Sequence, residues 1–293
     1  MQLDRTQITI RPRSGWEILD LALRICWLQH RPLLLYTAIT AVPLYFFNMF
    51  VLQWALADEY SYDTISYYLW LMGLLVFLEA PLVTLAPTDM LGRWMFSQDT
   101  SWPSIRADLW AVSGRLFWCF GIVRGGLAAF GLALSLEPSL DPSGIDFLLV
   151  VLALYSALVR STRPFLPEII LLERSWLRKR TPQTITIGRR NSALHGPSTG
   201  DMIGRWMLMS GAASLLAISL IISAWYCVAL LTNDWQWNAI MVQVVVPVSF
   251  WLMVMYTTVV RYLFYLDLRI RREGWEVELR VRAAAQELRG QLA

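Results

Sequence analysis

Apolar residues fall in long blocks along the chain. A helix needs about 20 mostly apolar residues to cross a bilayer. Six stretches are long enough: 32–56, about 65–91, about 116–136, about 145–172, about 207–231 and about 237–260. Charge interrupts three of them. Glu79 lies in the second, Arg124 in the third, and Arg160, Arg163 and Glu168 in the second half of the fourth. The pattern predicts an all-α fold: an integral membrane bundle of six transmembrane helices over 32–260, with amphipathic helices at both ends.

The flanks carry helical periodicity of a different kind. In segment 1–31, Glu17, Asp20, Arg24 and Arg31 recur at i, i+3, i+7 and i+14 and form one narrow polar strip. Trp16, Leu19, Leu23 and Trp27 share the opposing surface with Ile18, Ile25 and Cys26. Pro12 and Ser14 suit a helix start. Such a segment can lie in the cytoplasmic interface or pack on the bundle. At the other end, 261–293 reads as a charged cytoplasmic helix. The pairs Arg272–Glu276, Glu276–Arg280 and Glu278–Arg282 support it at i,i+4, Gly274 weakens it, and Ile270, Trp275, Leu279 and Val281 offer an apolar face.

Composition and charge sharpen this picture. Of 293 residues, 56% are hydrophobic and 16% charged, against about 45–50% and about 25% in soluble domains. That balance excludes an ordinary cytosolic enzyme, a disordered chain and a nucleic-acid-binding module. The connections at 57–64, 137–144 and 232–236 hold no Lys or Arg but do hold Asp58, Glu59, Asp63, Glu137, Asp141 and Asp234. All of the 25 basic residues except Arg124, Arg160 and Arg163 fall on the other side. Basic residues are retained in the cytoplasm during insertion, so both chain ends are expected inside. Arg5, Arg11, Arg13, Arg24 and Arg31 precede the first apolar run, which is therefore expected to be a retained signal-anchor. Lys179 is the one lysine; the preference for arginine fits a GC-rich bacterial genome.

A central charge costs about 2.5–3.5 kcal/mol even on the lenient insertion scale. Glu79, Arg124 and Arg160 reach similar depth in the six-span reading, so they are expected to face inward as one cluster, with Arg163 and Glu168 in contact nearer the cytoplasm. Pro81, Pro87, Pro164 and Pro167 adjoin these charges and break helices. The cluster reads either as an ion-pair network or as the lining of a path. The basic connection at 173–206 supplies Arg178, Lys179, Arg180, Arg189 and Arg190. With Arg269, Arg271, Arg272 and Trp275 it forms a candidate docking surface for partners or anionic lipid. Two similar strings, MLGRWM at 90–95 and MIGRWM at 202–207, are expected to set Arg93 and Arg205 on headgroups and Trp94 and Trp206 in the aromatic belt.

Catalytic signatures are not found. Cys26, Cys119 and Cys227 are far apart, His30 and His195 stand alone, and no GxSxG elbow, P-loop or zinc-ligand spacing occurs. The expectation is a non-enzymatic protein without metal or cofactor.

Three stretches carry a family resemblance: RPRSGWEILDLALRICW near the start; RPFLPEIILLERSW followed by TIGRRNSALHG and MIGRWML; and RYLFYLDLRIRREGWEVELRVRAAA near the end. Together they resemble bacterial multi-pass proteins with a glycerophosphodiester-phosphodiesterase-type membrane domain, without the catalytic domain. The family's Arg-Arg-Ser step is met by Arg189-Arg190-Asn191-Ser192, with one residue inserted, and its closing motif by Tyr265-Leu266-Asp267-Leu268-Arg269-Ile270-Arg271-Arg272-Glu273-Gly274. The resemblance implies a bacterial inner-membrane protein and a subunit of a larger assembly, because such proteins are often encoded beside MoxR-type ATPases, RDD-type membrane proteins and stage II sporulation protein M-like proteins. Other membrane proteins or a cytoplasmic ATPase are the implied partners, and a transporter or channel built on Glu79, Arg124 and Arg160 is the alternative.

Overall fold

A computed structural model of the chain describes residues 11, 13–56, 62–136, 143–177, 185–195 and 199–273. These residues are almost wholly helical. The helices are α1 (Gly15–Leu28), α2 (His30–Leu52), α3 (Tyr62–Val83), α4 (Leu85–Met95), α5 (Trp102–Ala111), α6 (Ser113–Leu116), α7 (Gly126–Leu134), α8 (Gly144–Thr162), α9 (Leu166–Leu171), α10 (Ile187–His195), α11 (Thr199–Thr232) and α12 (Val246–Glu273). Five stretches are long and apolar enough to cross a membrane: His30–Leu56, Tyr62–Val83, Gly144–Thr162, Gly200–Thr232 and Ile240–Arg272. A further pair, Ser113–Val123 with Gly126–Leu134, is bent by 59° and makes a sixth if its halves form one span.

Two of the expected spans end sooner than their apolar runs suggest. The fourth stops at Thr162, because the residue before a proline is pushed out of the α region. Arg163, preceding Pro164, has φ −136° and ψ 60°. The second stops at Val83. Pro87 has no N–H to give the Val83 carbonyl, and the chain restarts as α4. The bent pair has its own cause. Phe117–Val123 is a π-helical turn, a frequent site of sharp kinks. Gly125 then adopts φ +75°, where a Cβ would meet Leu152 Cδ1 at 2.6 Å.

Helix α12 is the hub, packed against α1, α2, α3, α4 and α11. From Tyr262 to Leu268 every side chain is buried, Asp267 included, so this stretch of the helix is covered on all sides by protein. The anticipated solvated extension of the last span is therefore, as far as Ile270, part of the core. One end of the bundle is thickened by short helices that cannot span a bilayer: α1, α4, α5, α9 and α10 share a buried cluster with the last four turns of α12. A second cluster fills the opposite end, around Leu71, Met72 and Leu75 of α3. Helix α11 is the reverse of α12. Only 11% of its most apolar window is buried, against 56% in α3, so most of its circumference is left for lipid.

The amphipathic reading of α1 resolves into two apolar faces. Ser14 caps it and Glu17 completes the capping box; the Ser14 backbone N–H and then Arg11 hold the Glu17 carboxyl below its usual range. Ile18, Leu19, Ala22 and Ile25 are buried, while Trp16, Leu23 and Trp27 are exposed. Helix α1 thus packs on the bundle through one face and presents Trp16 and Trp27 outward from the other.

The bend can be tested with three glycines. Gly125→Ala should cost about 1–2 kcal/mol for its left-handed backbone, and Gly126→Ala should also destabilise, since its Cβ would meet the Phe120 carbonyl oxygen at 2.7 Å. Gly131→Ala lies in α7 with open space around it and should gain roughly 0.5–1 kcal/mol. Thermal midpoints in mild detergent read the three; equal midpoints would contradict the bend.

Candidate functional site

Arginines at the thickened end are matched to carboxylates. Arg93 of α4 holds Asp89 at 3.0 Å and also bonds Asp108 of α5, which receives Arg174 at 2.6 Å. Arg190 of α10 makes a two-pronged contact with Glu173, at 2.6 and 2.7 Å. The Tyr265 hydroxyl donates to the same carboxylate at 2.7 Å. Asp267 of α12 accepts from Arg205 at 2.8 Å, from Arg271 at 3.0 Å and from the Arg13 backbone N–H at 2.9 Å. Forked arginine–carboxylate contacts fix orientation as well as charge. Burial pushes the Asp89 carboxyl up to about 6 against the pull of Arg93. It pushes the Cys26 thiol up to about 11, which leaves that side chain an unreactive apolar group at neutral pH.

Deeper in the bundle a cavity of about 470 Å³ lies between α3, α8, α11 and α12. Its walls are mainly apolar, with Phe77 and Phe250 prominent, but Arg124, Arg160 and Arg261 all reach it. The helix breaks put them there. Arg124 ends the π turn just before Gly125 and donates to the Arg163 carbonyl at 2.8 Å, a carbonyl adjoining the Pro164 break. Arg160, in the last turn of α8, lies over the Phe77 ring at 4.1 Å and donates to the Phe77 carbonyl. Arg261 alone has a carboxylate, Glu168, at 2.8 Å, and also donates to the hydroxyls of Thr84 and Thr88. A guanidinium carries five N–H donors, and the Nε atoms of Arg124 and Arg160 are buried without a hydrogen-bond partner. The three cations lie within electrostatic reach of one another.

The expected charge cluster is thus redistributed. Glu79 does not pair with Arg124 or Arg160; its carboxylate accepts from Asn48 of α2 at 2.9 Å. Glu168 takes Arg261 in place of Arg163, whose side chain is exposed. The reason is rotational. Residues of equal depth meet only if their helices turn the right faces together, and the breaks at Gly125 and Pro164 reset those faces. Arg93 and Arg205, expected on headgroups, are engaged by Asp89, Asp108, Asp201 and Asp267, and Trp206 lines the cavity. Of the docking candidates, Arg190 and Arg269 are partly buried around Glu173. Arg189, Arg271 and Arg272 are exposed, and Arg178, Lys179, Arg180 and Trp275 lie outside the described residues.

Sequence reasoning missed Arg261, Asn48 and the Thr84–Thr88 hydroxyl pair. Arg261 stands at the boundary of the last apolar run and reads as a cytoplasmic residue. Its signal in the sequence is the apolar and aromatic run Tyr262–Leu266 that continues beyond it, which extends the apolar helix past that boundary. No group of His, Cys, Asp or Glu that could hold a metal ion is found among the described residues. No family model, curated protein or solved structure matches the chain.

Two conservative changes separate these arrangements. Glu168→Gln leaves Arg261 buried without its counter-charge, and breaking a buried pair costs about 3–5 kcal/mol. Glu79→Gln keeps an acceptor for Asn48 and offers an amide to the Asn48 oxygen, which has no partner now; it should change stability by less than about 1 kcal/mol. Thermal unfolding in detergent compares them, and equal losses would return Glu79 to the ion-pair network.

Proposed function

We propose that the chain is a multi-pass protein of a bacterial inner membrane, crossing it six times with both ends in the cytoplasm. It serves there as a non-catalytic subunit or scaffold of a membrane assembly. Its arginine-rich cytoplasmic face docks partner proteins, a cytoplasmic ATPase or anionic lipid. The bent pair at Gly125 supplies the sixth crossing. The segregation of basic residues supports the orientation.

The observation that carries the reading is the second layer. Helices α1, α4, α5, α9 and α10 are too short to cross lipid, yet they are packed into a continuous core with α12 and tied by the arginine–carboxylate contacts of Asp108, Glu173 and Asp267. A protein that only anchors itself has no need of such a platform. The resemblance of the closing Tyr265–Gly274 motif to membrane subunits points the same way. The alternative, a transporter or channel, draws on the cavity at Arg124 and Arg160 but loses Glu79, which bonds Asn48 instead.

Two measurements test this. Cysteines placed singly at Arg189 and Asp234, with the native cysteines replaced, should label from opposite faces; labelling from one face overturns the orientation. Tagged full-length protein at native expression should recover partners in mild detergent, and Arg189→Glu with Arg272→Glu should reduce that recovery several-fold. Recovery of a lone monomer overturns the assembly reading.

A further inference from the structure

We infer that the cavity between α3, α8, α11 and α12 is a binding site for one anionic phospholipid, its phosphate held by Arg124, Arg160 and Arg261 and its acyl chains running out beside α11. The inference is independent of partner docking.

Charge is the first argument. Three guanidiniums reach the cavity and one carboxylate, Glu168, answers them. Among the described residues of the platform six arginines, Arg93, Arg174, Arg190, Arg205, Arg269 and Arg271, are set against five carboxylates, Asp89, Asp108, Glu173, Asp201 and Asp267. Here the surplus lies in apolar surroundings, where unpaired cations are costly. An anion restores the balance. The second argument is donor geometry. Arg124 and Arg160 each direct Nη2 to backbone carbonyl oxygen and leave Nε unmatched. Forked N–H groups fit phosphate oxygens. Thr84, Ser210, Ser214 and Thr257 also line the cavity.

The third argument is shape. A cavity of about 470 Å³ takes a phosphate-bearing headgroup and the start of a chain, not a whole phospholipid. Ser214 both lines it and is exposed, so it opens beside α11, the helix most completely left to lipid. Its arginine-bearing end lies toward Arg261 and the platform, and its apolar end, around Gly73, Phe250 and Ala217, lies further along the spans. That polarity matches a lipid with its head at the platform side and its tails toward mid-membrane. A soluble anion such as free phosphate has no use for the apolar end.

The test uses the full chain in nanodiscs of phosphatidylcholine doped with phosphatidylglycerol, extracted gently and weighed by native mass spectrometry. One phosphatidylglycerol should be retained per chain, at least tenfold over phosphatidylcholine, and millimolar inorganic phosphate should not displace it. Arg124→Gln and Arg160→Gln should abolish the preference. Ala217→Phe, which fills the apolar end without touching charge, should reduce retention at least fivefold, and Arg106→Gln, an exposed surface charge on α5, should leave it unchanged. Equal retention of the two lipids, or displacement by phosphate, overturns the inference. So does an unchanged lipid count in Ala217→Phe, the deciding arm if the arginine variants fail to fold.

Discussion

A guanidinium withdrawn from water must find its partners within the protein or in what the protein binds, and this requirement organises the molecule. Hydrocarbon cannot solvate a charge or a free backbone group. The chain has many arginines and few acids to set against them near the membrane. At the platform the acids suffice, and each of Asp108, Glu173 and Asp267 gathers more than one donor. Deeper, the cations turn to backbone carbonyls freed by helix breaks, to aromatic rings and to hydroxyls.

The breaks and the charges are therefore one feature. Pro164 takes Arg163 out of the helix, and the carbonyl beside that break accepts Arg124. Gly125 ends the π turn that carries Arg124 and turns the rest of the span through 59°. Pro87 unseats the Val83 carbonyl where α3 gives way to α4, next to the Thr84 and Thr88 hydroxyls that receive Arg261. Broken helices at such depth persist where they line protein or a cavity, and here they do both.

Burial is distributed to match. Helix α12 is wrapped by protein from Tyr262 to Leu268, whereas α11 leaves most of its apolar surface uncovered by protein. The rigid element anchors the platform, and the exposed one forms a wall of the cavity. A structural platform and a lipid site are thus built on different faces of the same pair of helices.

The helical class, the apolar spans and the crowding of arginine at one end were legible in the residues themselves, because span length, proline breaks and charge sidedness are local or additive properties. The capped start of α1 was legible for the same reason. Which acid meets which arginine was not. Arg261 and Glu168 are 93 residues apart, and Glu79 turned to Asn48 although two arginines were expected at its depth. Such choices depend on how each helix is rotated about its own axis. That rotation is set by packing against α12 and by the breaks, so only the assembled tertiary structure could decide it.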